Sequence, residues 1–199
     1  MKKIINLLLA ASLFLIACNN NRVKDNVTIT SEDGKEHVTI NPNEMQDAAM
    51  DMQKIKEDLD KLTPLTTDEL TALIPAQLMG ASHSELDVNA AMGASVASAD
   101  YKINDSTDIN LNIIDCAGPG GAGIYRTQFL GMFTVQQDDE DEYTKTIDFN
   151  GGKAFENCQK SHNKCTLTYF GGGRFFITLE GDNVGIDELK KAAKSLNIK

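Results

Sequence analysis

The sequence predicts an α+β domain: a mostly antiparallel sheet flanked by helices, preceded by an N-terminal hairpin and an amphipathic helix. Three observations carry this reading. Residues 43–62 place apolar side chains at three- and four-residue intervals, the period of a helix. Beyond Pro75 the apolar residues recur at every second position, the period of a strand. The strand-like runs also follow one another across short turns, which suit antiparallel neighbours and not the long crossovers of parallel ones.

Residues 27–40 alternate apolar and polar side chains around Asp33-Gly34. Asp-Gly accepts the positive φ angles of a two-residue turn, so this run reads as a hairpin. Asn41-Pro42 then supplies a helix N-cap and first helical residue. In the helix that follows, Met45, Ala48, Met52, Ile55, Leu59 and Leu62 draw one narrow apolar stripe, while Asp47, Asp51, Lys54, Glu57 and Lys61 occupy the other faces. Such a stripe packs either on its own domain or on a partner helix.

Thr63-Pro64 ends that helix, and Thr67 caps a short one over residues 68–74, with acids at its start and Pro75 at its end. Strands are expected at residues 93–103, 108–115, 143–149, 153–157, 165–170 and 174–180. The segment 124–133 is compatible with a helix. Residues 186–196, capped near Gly185, close the chain as an amphipathic helix.

The first eighteen residues carry a different kind of information. Lys2 and Lys3 precede about thirteen mostly apolar residues and then Leu15-Ile16-Ala17-Cys18. The run is shorter than the roughly 20 residues a spanning helix needs, so it reads as a secretory signal. Leu-Ile-Ala-Cys resembles the lipobox of bacterial lipoproteins, which implies cleavage before Cys18 and acyl chains on that cysteine. The chain then divides into a signal peptide (1–17), a lipidated tether (18–26), a hairpin and helix extension (27–62) and the α+β domain (63–199). Asn19 lacks the aspartate that often retains lipoproteins on the inner membrane, which favours the outer membrane, facing the periplasm or the cell surface.

The net charge of −10 repels phosphate backbones, and no lysine or arginine stripe offsets it, so nucleic acid is excluded as a partner. Anionic lipid headgroups are repelled too, which leaves membrane attachment to the acyl chains. Tryptophan is absent, which argues against a carbohydrate module built on indole platforms.

Several clusters resemble chemical sites and are read conservatively. Gly118-Pro119-Gly120-Gly121-Ala122-Gly123 matches G-x-G-x-x-G, but the dinucleotide motif needs a parallel βαβ unit, and a glycine loop between strand and helix explains the same residues. Asp138 to Glu142 offers oxygen ligands without the calcium-loop order. Cys158 and Cys165 flank a polar turn and suit a disulfide, two free thiols or, with His162 and a further ligand from Cys116, His83 or water, a zinc site. His83-Ser84 has no visible acid partner. Arg174, beside Gly171-Gly172-Gly173, is a candidate to line a ligand pocket or to salt-bridge to the last helix. No cofactor or metal site is expected.

Leu70-x-x-Leu73-Ile74-Pro75, Gly80 and Met92-Gly93-Ala94-x-Val96-Ala97-x-Ala99-x-Tyr101 resemble the opening of an uncharacterised family of exported bacterial lipoproteins. Later pieces fit in order: Ile109-x-Leu111-x-Ile113-Ile114-Asp115, Tyr143-x-Lys145-Thr146, Gly152-Lys153-Ala154-Phe155-Glu156, and Gly173-Arg174-Phe175-Phe176-Ile177-x-Leu179-Glu180-Gly181. The resemblance implies a PsbP/Mog1-like fold, an antiparallel sheet between helical layers, and a non-catalytic adaptor or assembly role. The expected function is that of a lipid-anchored envelope protein that binds another protein, with the stripe from Met45 to Leu62 as one docking face. A small-molecule or ion carrier is the alternative, and an envelope hydrolase ranks third.

Overall fold

The computed structural model describes residues 27–30, 37–40, 42–91, 93–131, 136–138 and 140–198. Strands β1 (Val27–Thr30) and β2 (His37–Ile40) form the expected hairpin ladder, Val27 opposite Ile40. Its Asp33-Gly34 turn, the Asn41 cap and the lipobox at Cys18 lie outside the described residues. Helix α1 (Pro42–Leu59) follows, then the single turn α2 (Thr67–Thr71). The N-cap of α2 is Thr66, one residue before the expected Thr67. Its hydroxyl accepts from the Glu69 amide at 3.3 Å while the Glu69 carboxylate accepts from the Thr66 amide at 2.9 Å, a reciprocal capping box.

Nine strands build the main sheet: β3 (Gln77–Leu78), β4 (Ala81–Ala91), β5 (Ala94–Asn104), β6 (Thr107–Asp115), β7 (Gln136–Asp138), β8 (Glu142–Phe149), β9 (Gly152–Gln159), β10 (Lys164–Gly171) and β11 (Phe175–Asp182). Their spatial order is β3-β4-β5-β6-β11-β10-β9-β8-β7, and every pairing is antiparallel. Two meanders, β3 to β6 and β7 to β11, therefore meet where β6 pairs with β11. Helix α3 (Gly118–Gly131) carries the chain from the centre of the sheet towards its far edge, and α4 (Ile186–Ser195) closes it. Turn chemistry fixes the registers. Asn150 and Gly151, both at positive φ, join β8 to β9 where Phe149 faces Gly152.

Period-two burial sends the two sides of the sheet to different partners. On the first side Ala97, Ala99, Tyr101, Ile109, Leu111, Ile113, Leu167, Tyr169, Ile177 and Leu179 pack against Leu70 of α2 and Leu189, Ala192 and Ala193 of α4. Burial pushes the Tyr101 hydroxyl up to about 12, and it donates to the Pro75 carbonyl at 2.7 Å. On the second side Ile114, Phe155, Phe170 and Phe176 pack against Met52, Ile55 and Leu59 of α1 and Ala122 and Tyr125 of α3. Helices thus flank both sides of the sheet.

The described part of the α1 stripe is covered by its own chain. Met52 and Leu59 are buried in that second cluster, and only Leu62 is exposed, at 39%. Met45 and Ala48 lie outside the described side chains. Among the described residues no helix is long and apolar enough to cross a membrane.

Candidate functional site

Asp115, at the end of β6, is fully buried and collects four hydrogen bonds. Arg174 Nε and Nη2 donate to its two oxygens at 2.7 and 2.8 Å, and the amides of Leu65 and Ala117 donate at 2.7 and 3.2 Å. Burial pushes the Asp115 carboxyl upward, but the Arg174 and amide hydrogen bonds outweigh it and hold the group below the usual aspartate range. Arg174 Nη2 also donates to the Thr63 carbonyl at 2.7 Å.

Arg174 is therefore a clamp that ties residues 63–65 and the β10–β11 turn to the end of β6. The expected salt bridge to the last helix is not what forms; the Nε and Nη2 donors are engaged by Asp115 and Thr63. The register explains this: β6 pairs with β11 so that Asp115 faces Phe175, the residue after Arg174.

The glycine motif is corrected in a similar way. Gly118, at positive φ, and Pro119 open α3 itself, so the run is the first turn of a helix and not a loop before one. At Gly121 a Cβ would lie 2.4 Å from the Cys116 carbonyl carbon, so the absence of a side chain there serves close packing of helix on strand.

Cys158 and Cys165 face each other across β9 and β10, Cα atoms 4.1 Å apart, and are joined as a disulfide. That bond takes both sulfurs out of any zinc site. His162 sits exposed in the intervening 3₁₀ turn, its Nδ1 3.0 Å from the Ser161 hydroxyl. Cys116 is free and buried, and burial pushes its thiol up to about 12.

Asp138, in the acid run, pairs with Lys160 at 2.8 Å, and Glu142 accepts from the Asn157 amide. Among the described residues no three His, Cys, Asp or Glu side chains gather as a metal would require. Ser84 donates to the Asp100 carbonyl at 3.2 Å, and His83 sets its ring edge on Tyr101.

Sequence reasoning missed two buried charges, Asp115 and Glu156. Glu156 on β9 is fully buried on the first side of the sheet, in ion pairs with Lys190 of α4 and, at 3.4 Å, with Lys145 of β8. A charge at the inward position between Ala154 and Cys158 was the available signal. The arrangement pins α4 to the sheet, because moving the helix would strip a buried carboxylate of one of its two counter-ions.

Among the described residues, α1 and α3 leave part of the second side of the sheet uncovered. Cross-strand pairing lines up Glu85, Asp100, Asn110, Glu180, Thr166, Asn157 and Thr144 in one row across seven strands, from exposed Glu85 through half-buried neighbours to buried Thr144. Asp87, Ser98, Asn112, Thr178 and Thr168 form the next row.

These side chains bond to one another. Asn110 donates to Asp100 at 2.6 Å and to Ser98 at 3.2 Å, Thr168 and Thr178 hydroxyls lie 3.2 Å apart, and Lys164 pairs with Glu180 at 2.5 Å. The result is a polar surface whose side chains hold one another in place. It ends at β4, where Ser84, Glu85, Leu86, Asp87, Asn89 and Ala90 are all exposed. Neither β4 nor β3 was among the expected strands.

Comparison with protein-family models, with curated proteins and with solved structures finds no match for this chain.

Proposed function

We propose that this chain is an exported, lipid-anchored envelope protein that acts by binding another protein and carries out no chemistry of its own. More particularly, it is a member of the uncharacterised lipoprotein family it resembles, with the antiparallel sheet and flanking helices that a PsbP/Mog1-like fold implies. The observation that carries the reading is the open polar side of the sheet with its exposed β4 margin, a broad surface with prearranged side chains. The buried carboxylates support it: Asp115 and Glu156 pair with the partly exposed Arg174 and Lys190 and so join elements to one another. Cys18 supplies the acyl anchor, residues 19–26 the tether, and the outer membrane is the expected address. The α1 stripe serves less well as a docking face, since Met52 and Leu59 are covered by the chain's own α3 and sheet.

Two measurements test this. Fatty-acid labelling in the native host should mark the wild-type chain and be abolished by Cys18→Ala; labelling that persists in the variant would refute the anchor. Photo-crosslinkers placed at Thr168 on the open side and at Leu86 on the β4 margin should join the chain to a discrete protein partner. Catalytic turnover of an esterase, glycosidase or peptidase substrate, lost on a single substitution, would overturn the reading.

A further inference from the structure

We infer that the outer edge of β4 receives an extended basic segment of a partner protein, which adds to the sheet as a further antiparallel strand. This rests on the binding reading and names the partner's chemistry. β4 runs for eleven residues, yet β3 pairs only with its first two, Ala81 and Ser82. Among the described residues no strand covers the rest of that edge, so every second residue from Ser84 to Ala90 turns its N–H and C=O outward, unpaired. The opposite margin differs: β7 is three residues long and has the β2 hairpin strand beside it.

Natural edges are usually protected by lysine, proline, shortness or a bulge. β4 contains no lysine or proline, and its single irregularity, the bulge at Ser84 between His83 and Glu85, lies at the start of the free stretch and leaves Glu85 to Ala90 regular.

The side chains specify the occupant. Glu85 and Asp87 project on the open side, with Asp100 directly across from Glu85, and Asn89 donates to Asp87 at 3.0 Å. On the other side Val88 packs on the core and Leu86 is 37% exposed. A strand with lysine or arginine at positions two apart and aliphatic residues between them places cations on the carboxylates and apolar groups against Leu86 and Val88. A second copy of this chain fits less well than a basic strand. The antiparallel register that pairs Ser84 to Ala90 in full sets Asp87 against Asp87, and the register centred on Leu86 sets Glu85 against Asp87, like charges opposed in both cases. The register centred on Val88 sets Asp87 against Asn89 and Glu85 against Ala91, which avoids the clash but gives neither carboxylate a cation.

The test uses the full-length chain in detergent micelles and a Lys-Val alternating peptide of about nine residues as probe. Binding is read by fluorescence anisotropy and hydrogen exchange. The peptide should bind and protect amides within residues 84–90. Methylating one alternating set of its backbone nitrogens should weaken binding by about tenfold or more, while methylating the other set leaves it intact, the signature of a strand with one bonded edge. Glu85→Lys with Asp87→Lys should weaken it by about tenfold too and should favour a Glu-Val peptide.

Equal binding of both methylated peptides, or protection elsewhere on the surface, would overturn the inference in favour of diffuse charge attraction. So would a concentration-dependent dimer that protects residues 84–90 without peptide. Crosslinks to a partner from Thr168 but not from Leu86 would refute the edge site while leaving the binding reading standing; crosslinks from neither would remove both.

Discussion

Replacing Arg174 by alanine should be among the most damaging single changes in the domain. Asp115 would keep the amides of Leu65 and Ala117 but lose two charge-assisted hydrogen bonds, and the Thr63 carbonyl would lose its donor. Breaking a buried ion pair from one side costs about 3–5 kcal/mol. Arg174 retains 20% side-chain exposure, so water replaces part of what is lost and the expected cost is about 3 kcal/mol.

The sign of the pH dependence follows from Asp115. Its folded carboxyl is held below the usual range, so its stabilisation is present above the unfolded value of about 3.9 and is lost as pH falls through the folded one. The gap between wild type and Arg174→Ala should therefore be widest near neutrality and should close under acid. Urea unfolding at a series of pH values measures both quantities. A loss below about 1 kcal/mol at pH 7, or a gap that does not narrow under acid, would refute the clamp. Arg174→Lys should recover only part of the loss, since an ammonium cannot reproduce the two-pronged contact.

Removing the disulfide with Cys158→Ala and Cys165→Ala should cost roughly 2–3 kcal/mol by the chain-entropy account, read as a fall in urea midpoint; no change, or free thiols mapped to Cys158 and Cys165 in the oxidised wild type, would contradict the bond. In native protein Cys116 should resist alkylation and react only on unfolding, and rapid labelling of the folded chain would place it elsewhere than the core. Lys190→Met should destabilise by about 2–3 kcal/mol by leaving buried Glu156 with Lys145 alone, whereas adding Glu156→Leu should restore most of that loss; equal stability of single and double variants would show that Glu156 does not depend on Lys190.

The strands β5, β6, β10 and β11 were legible because each sets aliphatic or aromatic residues on one side at every second position, as Ile109, Leu111 and Ile113 do. β4 was not. Leu86 and Val88 alternate with Glu85, Asp87 and Asn89, but alanines surround them and no strong apolar run announces an edge strand that is half in water. The helical start of the glycine run was hidden for another reason: Gly118-Pro119 suits a turn and a helix start equally, and only the contact of Gly121 with Cys116 decides between them.

The role of Arg174 depended on a partner 59 residues away, brought close by the β6–β11 register. Glu156 was visible as a charge in an inward position, yet Lys190 comes from a helix whose placement the local pattern does not specify. The open side of the sheet was legible as polar alternate residues strand by strand, but its continuity across seven strands depends on registers that turns and core packing set together.

On the proposed function the chain binds a protein and not a small molecule. Native mass spectrometry of the full-length protein, extracted gently from its own envelope with crosslinking in parallel, separates the two. A crosslinked protein partner is expected, with crosslinks that map to the open side of the sheet and its β4 margin. A discrete added mass of a few hundred daltons beyond the acyl chains, with no protein crosslink, would contradict it and make the chain a carrier.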